Sequence, residues 1–179
     1  SSFGFAWMVD TKHPATDFQS FLEWARGQTE VPYASPALGS TPHFLSVEMA
    51  RRLGLPLTHV AYREAATMLA DLNGGRIGAC ITVIGTAAEQ HRAGRARILA
   101  VSMPHRVASL PAVPTFAELG HPFLTADEWY GIFLPAGTPT PIVEGLLGAI
   151  VRNARRRLRA HRDCRRRHRA KTFGGVLRA

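Results

Sequence analysis

Two cysteines in 179 residues, Cys80 in an apolar run and Cys164 among arginines, make no disulfide framework and leave the redox compartment undecided. No stretch approaches the roughly 18 uninterrupted apolar residues that a membrane-spanning helix needs. The first ten residues lack both an initiating Met and the basic-then-apolar pattern of a secretory signal. The chain as given is therefore expected to be soluble and to begin downstream of the start of its gene. Acids are scarce at one end: 152–179 holds 12 basic residues and one acid, Asp163, a net +11. The first 151 residues hold 10 bases and 12 acids, a net −2, so the formal +9 of the whole describes no single surface. Also missing are a Gly-x-Ser-x-Gly elbow, a phosphate loop, a His-Glu-x-x-His motif and a dinucleotide fingerprint, which removes the enzyme classes those motifs mark.

What is present is a globular pattern. A hydrophobic fraction of 46% with 16 Gly and 12 Pro excludes disordered and collagen-like classes and allows the first 150 residues to bury a core. Phe5 to Val9 reads as a strand, and Thr16 or Asp17 then opens a helix with Phe18, Phe21, Leu22 and Ala25 on one face. Val31 to Ser35 is extended, and Pro42 starts a helix that carries Phe44, Leu45, Met49 and Leu53 and stops at Gly54. Strands are predicted over Leu57 to Ala61, Ile77 to Ile84 and Arg97 to Ser102, with helices over Glu64 to Leu72 and Thr86 to Ala93 between them. This alternation argues for an α/β fold with a mainly parallel sheet covered by helices on both faces. Beyond Ser102, Thr115 to Glu118 has capping-box spacing for a short helix, Glu128 to Leu134 reads as a strand, and Ile142 to Ala154 as an amphipathic helix.

The best local candidate for chemistry is the run Tyr33-Ala-Ser-Pro-Ala-Leu-Gly-Ser-Thr-Pro-His43. The unpaired N–H groups and dipole of a helix start favour an anion, and the hydroxyls of Ser35, Ser40 and Thr41 add donors. The same residues also fit a plain helix cap with His43 solvated in the first turn. Tyr62 and Arg63 follow a strand at the edge where open α/β sheets bind ligands, and Arg63 could pair with a carboxylate or stand exposed beside Glu64. Asp127 and Glu128 would point to opposite faces of a strand, a poor acid/base pair. His161, Cys164 and His168 have helical spacing for metal ligands, but their arginine neighbours repel a cation and a fourth ligand is missing. No metal and no cofactor is expected.

Several segments in order carry a resemblance: the Tyr33–His43 loop, Tyr62-Arg63, Asn73-Gly-Gly-Arg-Ile-Gly-Ala79, Leu110-Pro-Ala-Val-Pro-Thr-Phe-Ala-Glu118, and Glu128-Trp-Tyr-Gly-Ile-Phe-Leu-Pro-Ala-Gly-Thr-Pro139. Together they resemble the Bug-type receptors, the periplasmic solute-binding proteins of tripartite tricarboxylate transporters. The resemblance implies a type II periplasmic-binding-protein-like fold, here one lobe plus a remnant of the other. Its expected divisions are an interlobe strand region over 1–8, the second lobe over 9–127, a crossover strand and helix over 128–154, and a disordered or aberrantly helical basic tail over 155–179. It implies a monomeric, periplasmic, non-enzymatic receptor that captures a small carboxylate-bearing solute and hands it to membrane transporter subunits. Ser35, Gly39, Ser40, Thr41, His43, Tyr62 and Arg63 are the ligand-binding residues so implied.

The chain departs from the family pattern in Leu38, Glu64, Gly78 and Thr82, the last two standing where Asp is common. Glu64 at a pocket edge would oppose a second carboxylate. With the upstream part of the family absent from the sequence, weak or no solute binding is expected. The arginine run after Ala154 replaces an ordinary amphipathic pattern, which fits a reading-frame shift; a nucleotide sequence in which no single-base change restores a family-like end would overturn that. The rival reading is a module that binds nucleic acid or an acidic partner through the tail, although no specific nucleic acid is expected.

Overall fold

A computed structural model describes residues 2–62 and 64–153. Arg63 and the arginine-rich tail, with the metal-like His161, Cys164 and His168 and the rival binding module, lie outside the described residues. The chain divides into two compact units, Ser1–Tyr130 and Gly131–Ala179.

The first unit is built on a five-stranded sheet in the order β4-β3-β5-β2-β6, from β2 (Phe5–Asp10), β3 (Val31–Ser35), β4 (Leu57–Ala61), β5 (Ala79–Val83) and β6 (Ala96–Val101). Strands β3, β4 and β5 are parallel, whereas β2 runs against both of its neighbours, β5 and β6. The sheet is thus mixed, with the first strand reversed between two that share a direction. The helices are α1 (Phe18–Arg26), α2 (Thr41–Leu53), α3 (Ala65–Asn73) and α4 (Ile84–Arg92). A short β1 (Ser2–Phe3) pairs antiparallel with β7 (Glu128–Trp129).

The alternation of side chains along β2 sorts the core into two layers. Phe5, Trp7 and Val9 join Phe18, Phe21 and Leu22 of α1 and Leu45 and Met49 of α2 on one face. Ala6 and Met8 join Met68 and Leu72 of α3 and Ala87 and Ala88 of α4 on the other. Trp7 is fully buried, and its apolar contribution is offset in part by an indole N–H that is buried with no hydrogen-bond partner among the described residues. Opposite it the register slips: Trp7 pairs with Ala100 and Met8 with Ile98, which leaves Leu99 as the extra residue of a bulge. Leu99 and Ala100 therefore both reach the first layer.

Three expectations shift. The run Ile77 to Ile84 shortens to β5, because α4 begins at Ile84 directly after the strand. Thr115 and Glu118 do form the reciprocal bonds of a capping box, with Thr115 N–H to the Glu118 carboxylate at 2.8 Å and Glu118 N–H to Thr115 Oγ1 at 3.1 Å. These close a turn, not a helix. Of Glu128 to Leu134 only Glu128 and Trp129 are strand, paired with Phe3 and Ser2.

In the second unit, Thr138 donates from its N–H and its hydroxyl to the Pro135 carbonyl, closing a turn with Gly137 at φ 80°. Helix α5 (140–153) follows, with Ile142, Leu146, Leu147 and Ile150 exposed. Among the described residues no helix is long and apolar enough to cross a membrane.

Candidate functional site

Parallel pairing places the carboxyl ends of β3, β4 and β5 at one edge, with Ser35 directly beside Ala61. The chain leaves β3 toward one face through 36–40 into α2, and leaves β5 toward the other face into α4. Connections that diverge to opposite faces open a crevice at such an edge, where ligands of α/β sheets bind.

All three helices that start here do so without a side-chain cap. Ser40, Glu64 and Val83 occupy the cap positions of α2, α3 and α4, and none of their side chains bonds a first-turn amide. At α2 the reason is visible. The Ser40 hydroxyl is turned back to donate to the Ala37 carbonyl at 2.6 Å, and Gly39, at φ 76°, makes the left-handed turn that points the loop into the helix. Pro42 lacks an N–H, so Thr41 and His43 supply the amides of the first turn. The helix dipole and these donors are suited to a carboxylate or another small anion.

A polar cluster lies under that turn. Ser35 is fully buried, and its Oγ stands 2.9 Å from His59 Nε2 on β4 and 3.4 Å from the Ala37 carbonyl. The His43 ring accepts at Nδ1 from the Gly39 N–H at 3.3 Å and meets the His59 ring edge to face, with centroids 4.6 Å apart. Burial and the neighbouring His43 hold the His59 pKa below its ordinary value. The cluster therefore brings together Ser35, Gly39, Ser40, Thr41 and His43. His59 is the member that the sequence reading missed. An isolated His in a strand carries no signal until the pairing of β3 with β4 sets it beside Tyr33.

Tyr62 follows β4 at the same edge, but its hydroxyl donates to Asp71 Oδ2 at 2.8 Å, and Arg76 binds the other oxygen of that carboxylate at 2.6 Å. Burial first, and then the Asp71 bond, raise the Tyr62 pKa to about 12. Its phenol is thus a neutral donor already in use. Ser35 and His59 have the separation of a nucleophile and its base, but Ser35 is buried, and among the described residues no carboxylate bonds the other His59 nitrogen. No cluster of metal-ligating side chains occurs among the described residues.

Gly78 is closely approached by its neighbours. A Cβ there would stand 3.1 Å from Val31 Cγ1 and 3.2 Å from the Trp24 ring, a tight contact that Val31 or the indole would have to relieve by a small shift.

The fold superposes on those of solved periplasmic binding proteins. A protein described as a periplasmic transporter superposes with a TM-score of 0.76 at 31% identity, over 84% of this chain and 50% of its own. An R. palustris protein solved with adipate gives 0.74 at 32%, over 82% and 49%. MatC from Rhodopseudomonas palustris, solved with bound malate, gives 0.72 at 26%, over 84% and 52%. These define the class as a periplasmic-binding-protein fold. Residues 1–160 match the family described as Tripartite tricarboxylate transporter family receptor, and the chain belongs to that family. Protein BugT of Bordetella pertussis is 36% identical over 114 residues, 64% of this chain and 35% of BugT. The chain spans about half the length of the solved relatives and about a third of BugT.

Proposed function

We propose that the chain serves as part of a solute-binding receptor that captures a small carboxylate-bearing solute in the periplasm and passes it to the membrane subunits of a tripartite transporter, without catalysis. In this reading residues 9–127, with the rest of β2, form one lobe, and 128–154 leads toward the other. The first-turn amides of Thr41 and His43, with Ser40, receive one carboxylate. Tyr62 lines the same edge, and Ser35 and Gly39 shape the loop beneath.

The observation that carries this reading is the uncapped start of α2 at the carboxyl edge, in a member of a receptor family whose solved relatives were captured with malate and adipate. A single sheet edge touches a solute from one side, so the expected affinity of this chain is low, with a Kd on the order of 1 mM. Amide chemical shifts of the full chain, followed while malate or adipate is added to tens of millimolar, test it. Saturable shifts centred on Thr41 and His43 are expected; their absence with both acids would sink the proposal.

A further inference from the structure

The His43–His59 pair is a cluster of two titratable rings beneath the proposed carboxylate position, and neither ring is used by the amide donors just described. Each ring has one nitrogen engaged. His43 Nδ1 accepts from the Gly39 N–H, so placing a proton on that nitrogen breaks the bond that holds the loop. His59 differs. Its Nε2 faces the Ser35 hydroxyl at 2.9 Å, and that hydroxyl can donate to the neutral ring or accept from the protonated one. When it accepts, its own proton turns to the Ala37 carbonyl, 3.4 Å away. His59 can therefore gain a proton from solvent with no hydrogen bond lost, whereas His43 cannot.

The surroundings set the direction. From β3, the groups that face His59 are Ser35 and the buried, neutral Tyr33, whose ring centroid is 5.3 Å from that of His59; from α2 it is His43; and among the described residues β4 is the edge strand of its sheet. Among the described residues no carboxylate bonds either ring. Without a solute, burial and the neighbouring imidazole disfavour a charged His59. A carboxylate brought to the first turn of α2 supplies the missing opposite charge within a few ångströms of the pair, and this favours the protonated form.

We propose that solute capture is proton-linked: His59 takes up a proton as the carboxylate arrives, with Ser35 switching from donor to acceptor. This rests on the proposed carboxylate site at α2. By linkage, the solute-bound protein holds the proton more tightly than the free protein. Affinity is then highest below the free-state midpoint of His59 and falls as pH rises through the bound-state midpoint, by about tenfold per pH unit at most in between.

The test is an NMR titration of the histidine rings and amides of the full chain between pH 6 and 8.5, with and without malate, a range in which the solute carboxylates stay ionised. The expected result is an upward move of the His59 titration on adding malate and tighter malate binding at pH 6 than at pH 8. H59Q should retain the binding seen at pH 8 and lose the pH dependence. If H59Q does not fold, the His59 titration of the unaltered chain, followed with and without malate, decides alone. Malate bound equally at both pH values, with an unmoved His59 titration, overturns the proton linkage and leaves the carboxylate site standing. Absence of malate binding at every pH removes the site and the linkage together.

Discussion

Helix α1 and the helices at the carboxyl edge begin in opposite ways. Asp17 accepts from the Ser20 N–H at 2.8 Å, and the Ser20 hydroxyl reaches back to the Asp17 N–H at 3.1 Å, so both ends of a capping box are made. Helices α2, α3 and α4 have no such bond. A side-chain cap stabilises by about 1 kcal/mol, so three helix starts at one edge go without it while the helix that leaves the other edge of the sheet has it in full. At α4 the Ile84 N–H is taken by the Gly4 carbonyl at 3.0 Å, so the contrast that bears on binding is between the capped start of α1 and the uncapped start of α2. Stability is commonly forgone where a fold presents its binding groups.

The strongest way to break the contrast is to cap α2. Ser40 already has the extended cap backbone, with φ −80° and ψ 161°. S40D removes the hydroxyl bond to Ala37 and offers a carboxylate to the His43 amide. The expected outcome is loss of malate or adipate binding by about tenfold or more, from occupied donors and like-charge repulsion, together with a midpoint of thermal unfolding no lower than that of the parent. Unchanged binding would mean that the α2 start is not the anion site.

The reciprocal change removes the cap that exists. D17A should lower stability by about 1 kcal/mol, read from denaturant midpoints, and leave solute-induced amide shifts at Thr41 and His43 unaltered. A loss of binding in D17A would show that the two edges of the sheet are coupled and that the contrast is not one of separate roles.

pH sets His59 of the carboxyl edge apart from Asp17 of α1. His13, His59 and His121 all have pKa values lowered by burial first, with Arg97, His43 and Arg26 respectively adding to it. For each, the unfolded chain binds the proton more readily. Their stability contribution is therefore full above the unfolded value near 6.5 and is lost as pH falls through that value toward the folded one. Asp17 is also lowered, by its bonds from Ser20, and its contribution is present above about pH 4 and lost below. Denaturation midpoints across pH should show two declines, with H59Q reducing the upper and D17A the lower.

Much of this arrangement is written in local sequence. The Asp17 cap, the apolar spacing of Phe18, Phe21, Leu22 and Ala25, and the stop at Gly54 are signals between near neighbours, and the helices they mark form where expected. Reversal of β2 between β5 and β6 is not such a signal, because the apolar run Phe5 to Val9 fits either direction and only the partners decide. At the candidate site the loop 33–43 was legible from its Gly, Ser, Thr and Pro. Ser35 was legible as a hydroxyl but not as a buried partner of His59, since that contact depends on the register between β3 and β4.

The smallest expected effect concerns the third uncapped start. Glu64 holds the cap position of α3 with extended backbone, φ −128° and ψ 133°, and is exposed. As the cap residue it places a negative charge at the edge proposed to hold the anion donors, but it makes no bond to the first-turn amides that would fix it there. Solvent and salt screen such a charge strongly. E64Q removes the charge and keeps the shape, so malate binding should tighten by about twofold at low ionic strength, and the gain should fade as salt is raised past the point where the screening length drops below about 10 Å. A monocarboxylate such as acetate, held only at α2, should gain less than malate. Equal gains for both would put the charge of Glu64 against the first carboxylate and move the solute from α2 toward α3.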